Sequence, residues 1–186
     1  MTSRYAQFYR TVVRPDLVHK LGYANVHAVP KVDQITLSIG TKLESSGLNN
    51  PVPAAFVLEL ITGQQPKFTR IRRANARYKV REGMLEGAKV GLHGDSMYEF
   101  MDKLVTQVLP RVTDFDGLNP KAFDGNGNFA IGIRDWFAFL EVDAQDLVFR
   151  SLGVASAPGL GVLVRTTAKT DDEARVLLSA LRFPFR

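Results

Sequence analysis

"DQITLSIG", residues 33–40, decides the fold of this chain. Ile35, Leu37 and Ile39 alternate with polar or small residues, and a period of two places all three on one face of a strand half-buried on a core. The segments on either side extend the pattern. Upstream, "YAQFYRTVVRPDLVHKLG" carries apolar residues at helical spacing, so residues 4–21 read as a packed amphipathic helix. Downstream, "PVPAAFVLELITG" has prolines at its mouth, helix formers inside and Gly63 at its end, which makes it a helix with both stop signals. "KFTRIRR" and "RYKVR" alternate loosely, and "GAKVGLHG" offers a further short strand. In "DSMYEFMDKLVTQVLP", Ser96 and Glu99 have capping-box spacing, Met97, Phe100, Met101, Leu104 and Val108 recur at helical intervals, and Pro110 closes the helix. "NFAIGIR" and "LGVLVRTT" alternate again, and Thr170 with Glu173 opens a last helix bearing Ala174, Leu177, Leu178 and Leu181 on one stripe. Strands and helices mix without regular βαβ repetition. The expectation is a single α+β domain over residues 1–186, with a mostly antiparallel sheet and helices packed on one face.

Composition removes several classes of function. The 186 residues are 45% apolar and 23% charged, as in an ordinary globular protein. No apolar run approaches the roughly 20 residues that a helix needs to span a bilayer, so no membrane partner is expected. The absence of cysteine excludes disulfides, thiolate metal sites and cysteine nucleophiles together. His19, His27 and His93 are scattered without metal-ligand spacing. "DGNGN", residues 124–128, imitates the start of a calcium loop, but Phe129 stands where glycine is needed and Asp135 where glutamate is needed. Gly159 and Gly161 precede a strand rather than a helix, so they form no dinucleotide fingerprint. No nucleophile and base are paired. Neither enzyme nor cofactor is expected.

Charge is the remaining signal. Residues 1–92 carry 14 Lys/Arg against 6 Asp/Glu, whereas residues 93–186 carry 10 against 13. The excess is densest in "KFTRIRRANARYKVREG", residues 67–83. There Lys67, Arg70, Arg72, Arg73, Arg77, Lys79 and Arg81 precede the first acid, Glu82, with Phe68 and Tyr78 between them. A hairpin or looped-out β element with a turn at "ANA" would crowd these cations at its tip and sides. Like charges so close repel unless a partner neutralises them, and phosphates both release counterions and match the arginine fork, although basic loops also bind membranes or acidic proteins. The stretch from 111 to 128, rich in Gly, Asp, Asn and Pro, reads as a long exposed loop.

"NVHAVPKVDQITLSIG", "ITGQQPKFTRIRRANARYKVREG", "VLPRVTDFDGLNPKAFDGNGNFAIGIRD" and "TTAKTDDEARVLLSALRFPF" follow one another in the order of a known family. From Tyr5 to Phe185 the chain resembles large-subunit ribosomal protein five, the 5S rRNA-binding family of bacterial and organellar type. The resemblance makes the first helix part of the fold and not a removable leader. It implies a structural constituent of the central protuberance that helps attach 5S rRNA to the large-subunit rRNA, beside neighbouring proteins there. The concave sheet face would meet 5S rRNA through Thr36, Ser38, Gln64, Lys89, Gly91 and His93. The basic segment 67–82 would reach the P-site tRNA. The loop at 111–134, with Arg111, Asp114, Asp116, Lys121, Asp124 and Asn126, would face a protein of the small-subunit head across an intersubunit bridge.

The chain also departs from the pattern. The family usually has Asn at Ser38, Thr at Gly91, Arg at His93, and cations at Asp116 and Asn126. "LGVASAPGLGV" looks expanded relative to the family's compact turn. Such loosened motifs favour a mitochondrial ribosome in the matrix over one of the bacterial cytoplasm or a plastid. The alternative in a different class is a family-derived RNA-binding regulator or chaperone acting off the ribosome.

Overall fold

The computed structural model describes residues 3–40, 51–78, 80–145, 147, 149 and 159–186. Five strands, β1 (Val32–Gly40), β2 (Lys67–Arg70), β3 (Leu85–Leu92), β4 (Phe129–Ile133) and β5 (Leu160–Thr166), form one antiparallel sheet in the order β2-β3-β1-β5-β4. With its helices this is the α+β fold that the alternating segments imply. Each of β1, β3, β4 and β5 buries one side. Ile35, Leu37 and Ile39 are buried, as are Ala88, Val90 and Leu92, Leu160, Val162 and Val164, and Phe129, Ile131 and Ile133.

The chain packs as two compact units. One holds residues 1–36, 91–131 and 162–186, and the other holds 37–90 and 132–161. In the first, α1 (Arg4–Phe8) passes through a π-helical turn, Tyr9–Val13, into α2 (Arg14–Leu21), so the helical run covers the expected 4–21. Ser3 caps it by accepting from the Ala6 amide at 3.1 Å. Tyr5, Tyr9, Val13 and Leu17 face inward. There α1 packs on α4 (Gly94–Lys103) and α2 on α6 (Asp171–Ala180). Arg4 grips Asp102 with two nitrogens at 2.7 and 3.1 Å, and the Tyr5 hydroxyl donates to the Leu181 carbonyl. Thr170 caps α6 at the Glu173 amide, and the stripe of Ala174, Leu177, Leu178 and Leu181 is buried, as its spacing predicts.

The second unit is built on α3 (Val52–Thr62), which ends at Gly63 as its sequence indicates and packs on α5 (Leu140–Asp143). Phe149 joins Phe56 at 5.6 Å and Trp136 at 5.9 Å between ring centroids. Gly87 of β3 is fixed by a close approach, because a Cβ there would overlap the Ile39 carbonyl oxygen. The pairing of β3 with β2 slips at the same place, with Thr69 opposite Gly87 and Arg70 opposite Leu85. Two successive residues, Gly87 and Ala88, are therefore buried where strict alternation would bury one.

Three expectations need correction. α4 starts at Gly94, whose φ of 58° turns the chain straight out of β3, so Ser96 lies inside the helix and caps nothing. Among the described residues of "RYKVR" there is no strand: Arg77 and Tyr78 lie in a 3-10 turn and Val80 forms an isolated bridge to Asn75. Finally, the charge asymmetry of the two halves does not survive folding, because the chain crosses between units. The first unit has 13 Lys/Arg against 11 Asp/Glu, and the second has 11 against 8. The excess is local.

Candidate nucleic-acid interface

The local excess sits on an arm of the second unit. β2 and β3 pair antiparallel with Lys67 opposite Lys89, Phe68 opposite Ala88 and Thr69 opposite Gly87. The pairing runs on beyond Arg70, since the Ile71 amide donates to the Met84 carbonyl at 2.9 Å and the Gly83 amide to the Ile71 carbonyl at 3.0 Å. At the tip, Asn75 and Val80 exchange amide bonds at 3.0 and 3.2 Å around a 3-10 turn, Ala76–Tyr78. The Asn75 side chain also accepts from the Arg77 amide at 3.0 Å. The "ANA" segment is thus an asparagine-organised turn, which is what that side chain does best in loops.

This scaffold holds Lys67, Arg70, Arg72, Arg73, Arg77 and Arg81, all exposed. Among the described residues, no carboxylate comes within ion-pair distance of any of them, or of Lys89. Lys67 directly opposite Lys89 is a like-charged cross-strand pair, an arrangement that destabilises a hairpin in isolation. Phe68 is 42% exposed beside them. Lys79 lies outside the described residues, as do residues 151–158 of the expanded turn.

The uncovered side of the sheet is legible strand by strand. On β1, Gln34, Thr36 and Ser38 alternate with the buried Ile35, Leu37 and Ile39. On β3, Lys89 and Gly91 alternate with Ala88, Val90 and Leu92, and the exposed His93 follows. Gln64 is exposed just after α3, its amide donating to the Thr62 hydroxyl at 3.2 Å. Two of the expected RNA-facing positions are closely packed by side chains of the neighbouring strand, so glycine is what fits beside them. A Cβ on Gly91 would meet Gln34 Nε2 at 2.7 Å, and one on Gly161 would meet Ser38 Oγ at 3.0 Å. Residue-by-residue reading overlooked Gln34, Thr69, Leu163 and Arg165, which share this side by alternation. Strand parity alone would have found them. Arg165 Nε lies 3.6 Å from Asp33 Oδ2.

The expected loop at 111–134 is shorter than its bounds, because residues 129–133 form β4, and its 111–128 part, in the first unit, proves more tied down than a free loop. Leu118 is buried, donating its amide to the Pro184 carbonyl at 2.8 Å and accepting from the Arg186 amide at 3.1 Å. Phe123 lies 4.7 Å from Phe129 and 6.1 Å from Phe185, ring to ring. Asp124 accepts from the Asn126 amide, the Asn128 amide and the Asn128 side chain at 2.8–3.0 Å. The Asn128 side chain and the two amides hold the Asp124 carboxyl below its ordinary value. Asp171 accepts from the Gly125 and Gly127 amides at 3.1 and 2.9 Å. Gly127, at φ 77°, has no space for a side chain beside the Ala168 carbonyl. "DGNGN" is therefore a carboxylate-organised turn. Arg111, Asp114, Asp116, Lys121 and Asn126 remain exposed along it.

The family profile for ribosomal protein L5 matches residues 25–81, and the profile of that family's C-terminus matches residues 86–185. The chain belongs to the ribosomal protein L5 family. It is accordingly a structural constituent of the large ribosomal subunit, associated with rRNA, in a family that is structural rather than enzymatic. Among the described residues no helix is long and apolar enough to cross a membrane.

Proposed function

We propose that this protein binds 5S rRNA and helps attach it to the large-subunit rRNA in the central protuberance, with the β2–β3 arm reaching the P-site tRNA. The observation that carries this reading is the arm itself. Six exposed cations on an ordered two-stranded scaffold have no acid to neutralise them among the described residues, and Lys67 is held opposite Lys89. Phosphates resolve that repulsion, and each phosphate bound makes the affinity more salt-dependent. Thr36, Ser38, Gln64, Lys89, Gly91 and His93 form the 5S contacts. The exposed part of 111–134 faces a small-subunit head protein across the intersubunit bridge. The loosened motifs at Ser38, Gly91 and His93 favour a mitochondrial ribosome.

Replacing Arg72, Arg73 and Arg77 together by Ala is expected to weaken rRNA or tRNA binding and to lower the log–log salt slope by roughly 0.7–0.9 for each phosphate no longer neutralised. An unchanged slope overturns the assignment of the arm. Native protein should cofractionate with large subunits at moderate salt; recovery only in the light fractions would instead support an off-ribosome RNA regulator.

A further inference from the structure

The first unit contains an open cleft of about 450 Å³ that the sheet face and the arm do not use. Its volume is within the roughly 300–1,000 Å³ common for small-molecule sites. One side is aromatic, with Tyr9 and Tyr98 at 6.1 Å between ring centroids and only 30° apart in plane. Tyr9 is fixed by donating its hydroxyl to the Pro30 carbonyl at 3.0 Å. The Tyr98 hydroxyl, half-buried in the same wall, meets no hydrogen-bond partner among the described residues. The other sides are cationic. Arg10, Arg14 and Lys31 line the cleft without a carboxylate at ion-pair distance among the described residues. Arg14 is oriented by donating Nη2 to the Val26 carbonyl at 3.1 Å. Asp33, the one acid on the lining, is paired with Arg165. Tyr9 and Arg10 belong to the π-helical turn, a rare geometry that recurs where helices serve sites.

We propose that this cleft takes a single unpaired nucleotide, its base against the Tyr98 ring, which the buried Tyr9 backs, and its phosphate among Arg10, Arg14 and Lys31. A bare anion site needs the cations but has no use for the paired rings, whereas stacking on aromatic faces is how unpaired bases are held. The source of the nucleotide, an extruded residue of rRNA, rests on the ribosomal reading; the cleft itself does not.

Free nucleotides separate the two. The full chain, labelled with nitrogen-15, is titrated at low salt with adenosine 5′-monophosphate and, separately, with ribose 5-phosphate. The nucleotide should shift the amide signals of Val26, His27, Gly94 and Tyr98, and should bind at least about fivefold more tightly than the sugar phosphate, the low end of one base–aromatic contact. Tyr98→Phe should keep that preference, and Tyr98→Leu should erase it while leaving sugar-phosphate affinity unchanged. Equal binding of ribose 5-phosphate, absence of shifts at these amides, or equal competition by a glutamate-rich peptide would overturn the proposal, the last pointing to a protein partner. None of these outcomes depends on 5S rRNA binding, so either reading can fail while the other stands.

Discussion

The β2–β3 arm and the 112–128 loop are both long connections rich in turn residues, yet they use their charged groups in opposite ways. In the loop, backbone amides donate to the carboxylates of Asp124 and, from the start of α6, Asp171, so these acidic groups are consumed in holding the fold. In the arm, the order comes from backbone pairing and the neutral Asn75 side chain, and among the described residues no acid pairs with the arginines. Charge that maintains structure cannot also serve a partner at full strength. The difference teaches where to expect function: an ordered scaffold with idle cations is an interface in waiting, whereas a turn closed by carboxylates on backbone amides is first a structural clamp.

Aromatic anchoring gives the largest test of this contrast. Phe129, 1% exposed, meets Phe123 and Phe185 at 4.7 and 5.3 Å and seats the loop on the first unit. Phe129→Ala should cost about 3–5 kcal/mol in urea unfolding, the range for truncating a buried aromatic. Phe68→Ala on the arm should cost far less, because that ring is 42% exposed. Similar costs from the two substitutions would mean that the arm is as integral to the core as the loop.

The carboxylate clamp is the next step down. Asp171→Ala leaves the Gly125 and Gly127 amides without their acceptor and should cost roughly 1–3 kcal/mol. The companion group, Asp124, adds a pH signature. Its folded-state value is depressed, chiefly by the Asn128 side chain. Its contribution is therefore present above the ordinary value of 3.8 and is lost as pH falls through the folded value. Protection of the Asn126 and Asn128 amides, measured against the intrinsic exchange rate at each pH, should fall over that acid range, and Asp124→Asn should remove this pH dependence of the protection. A wild-type profile flat across that range would show that the carboxylate does not hold the turn. The triple replacement of Arg72, Arg73 and Arg77, in contrast, should move stability by no more than about 0.5 kcal/mol.

How much of this was legible in the sequence depends on the range of the interactions. The alternation at 33–40 and the stripes at 97–108 and 174–181 announced their elements because side-chain burial on a strand or helix has a fixed local period. The cations of the arm were legible for the same reason, since a run of charge needs no tertiary knowledge. The start of α4 was not, because the corner at Gly94 overrides a respectable capping-box spacing two residues later. Nor was the clamp on "DGNGN", because Asp171 reaches it across more than 40 residues of chain. The Tyr9–Tyr98 cleft joins segments still more remote, and neither tyrosine stands out in its own helix.

The smallest predicted effect is the one that divides the loop's own acids. Asp124 is engaged in the turn, whereas Asp114 and Asp116 are exposed with no hydrogen bond or ion pair among the described residues. If the 111–134 stretch faces a basic protein of the small-subunit head, these two are the acids free to meet it. Asp116→Lys should then weaken subunit association, while the melting temperature and 5S rRNA attachment stay unchanged. An exposed pair contributes only about 0–1 kcal/mol and is screened by salt, so the change should emerge at low ionic strength and fade as salt is added. Asp124→Lys should behave differently, loosening the turn at every salt concentration because it removes the acceptor of three local hydrogen bonds. If Asp116→Lys instead releases 5S rRNA, the exposed edge of the loop faces RNA, and the bridge belongs elsewhere on the protein.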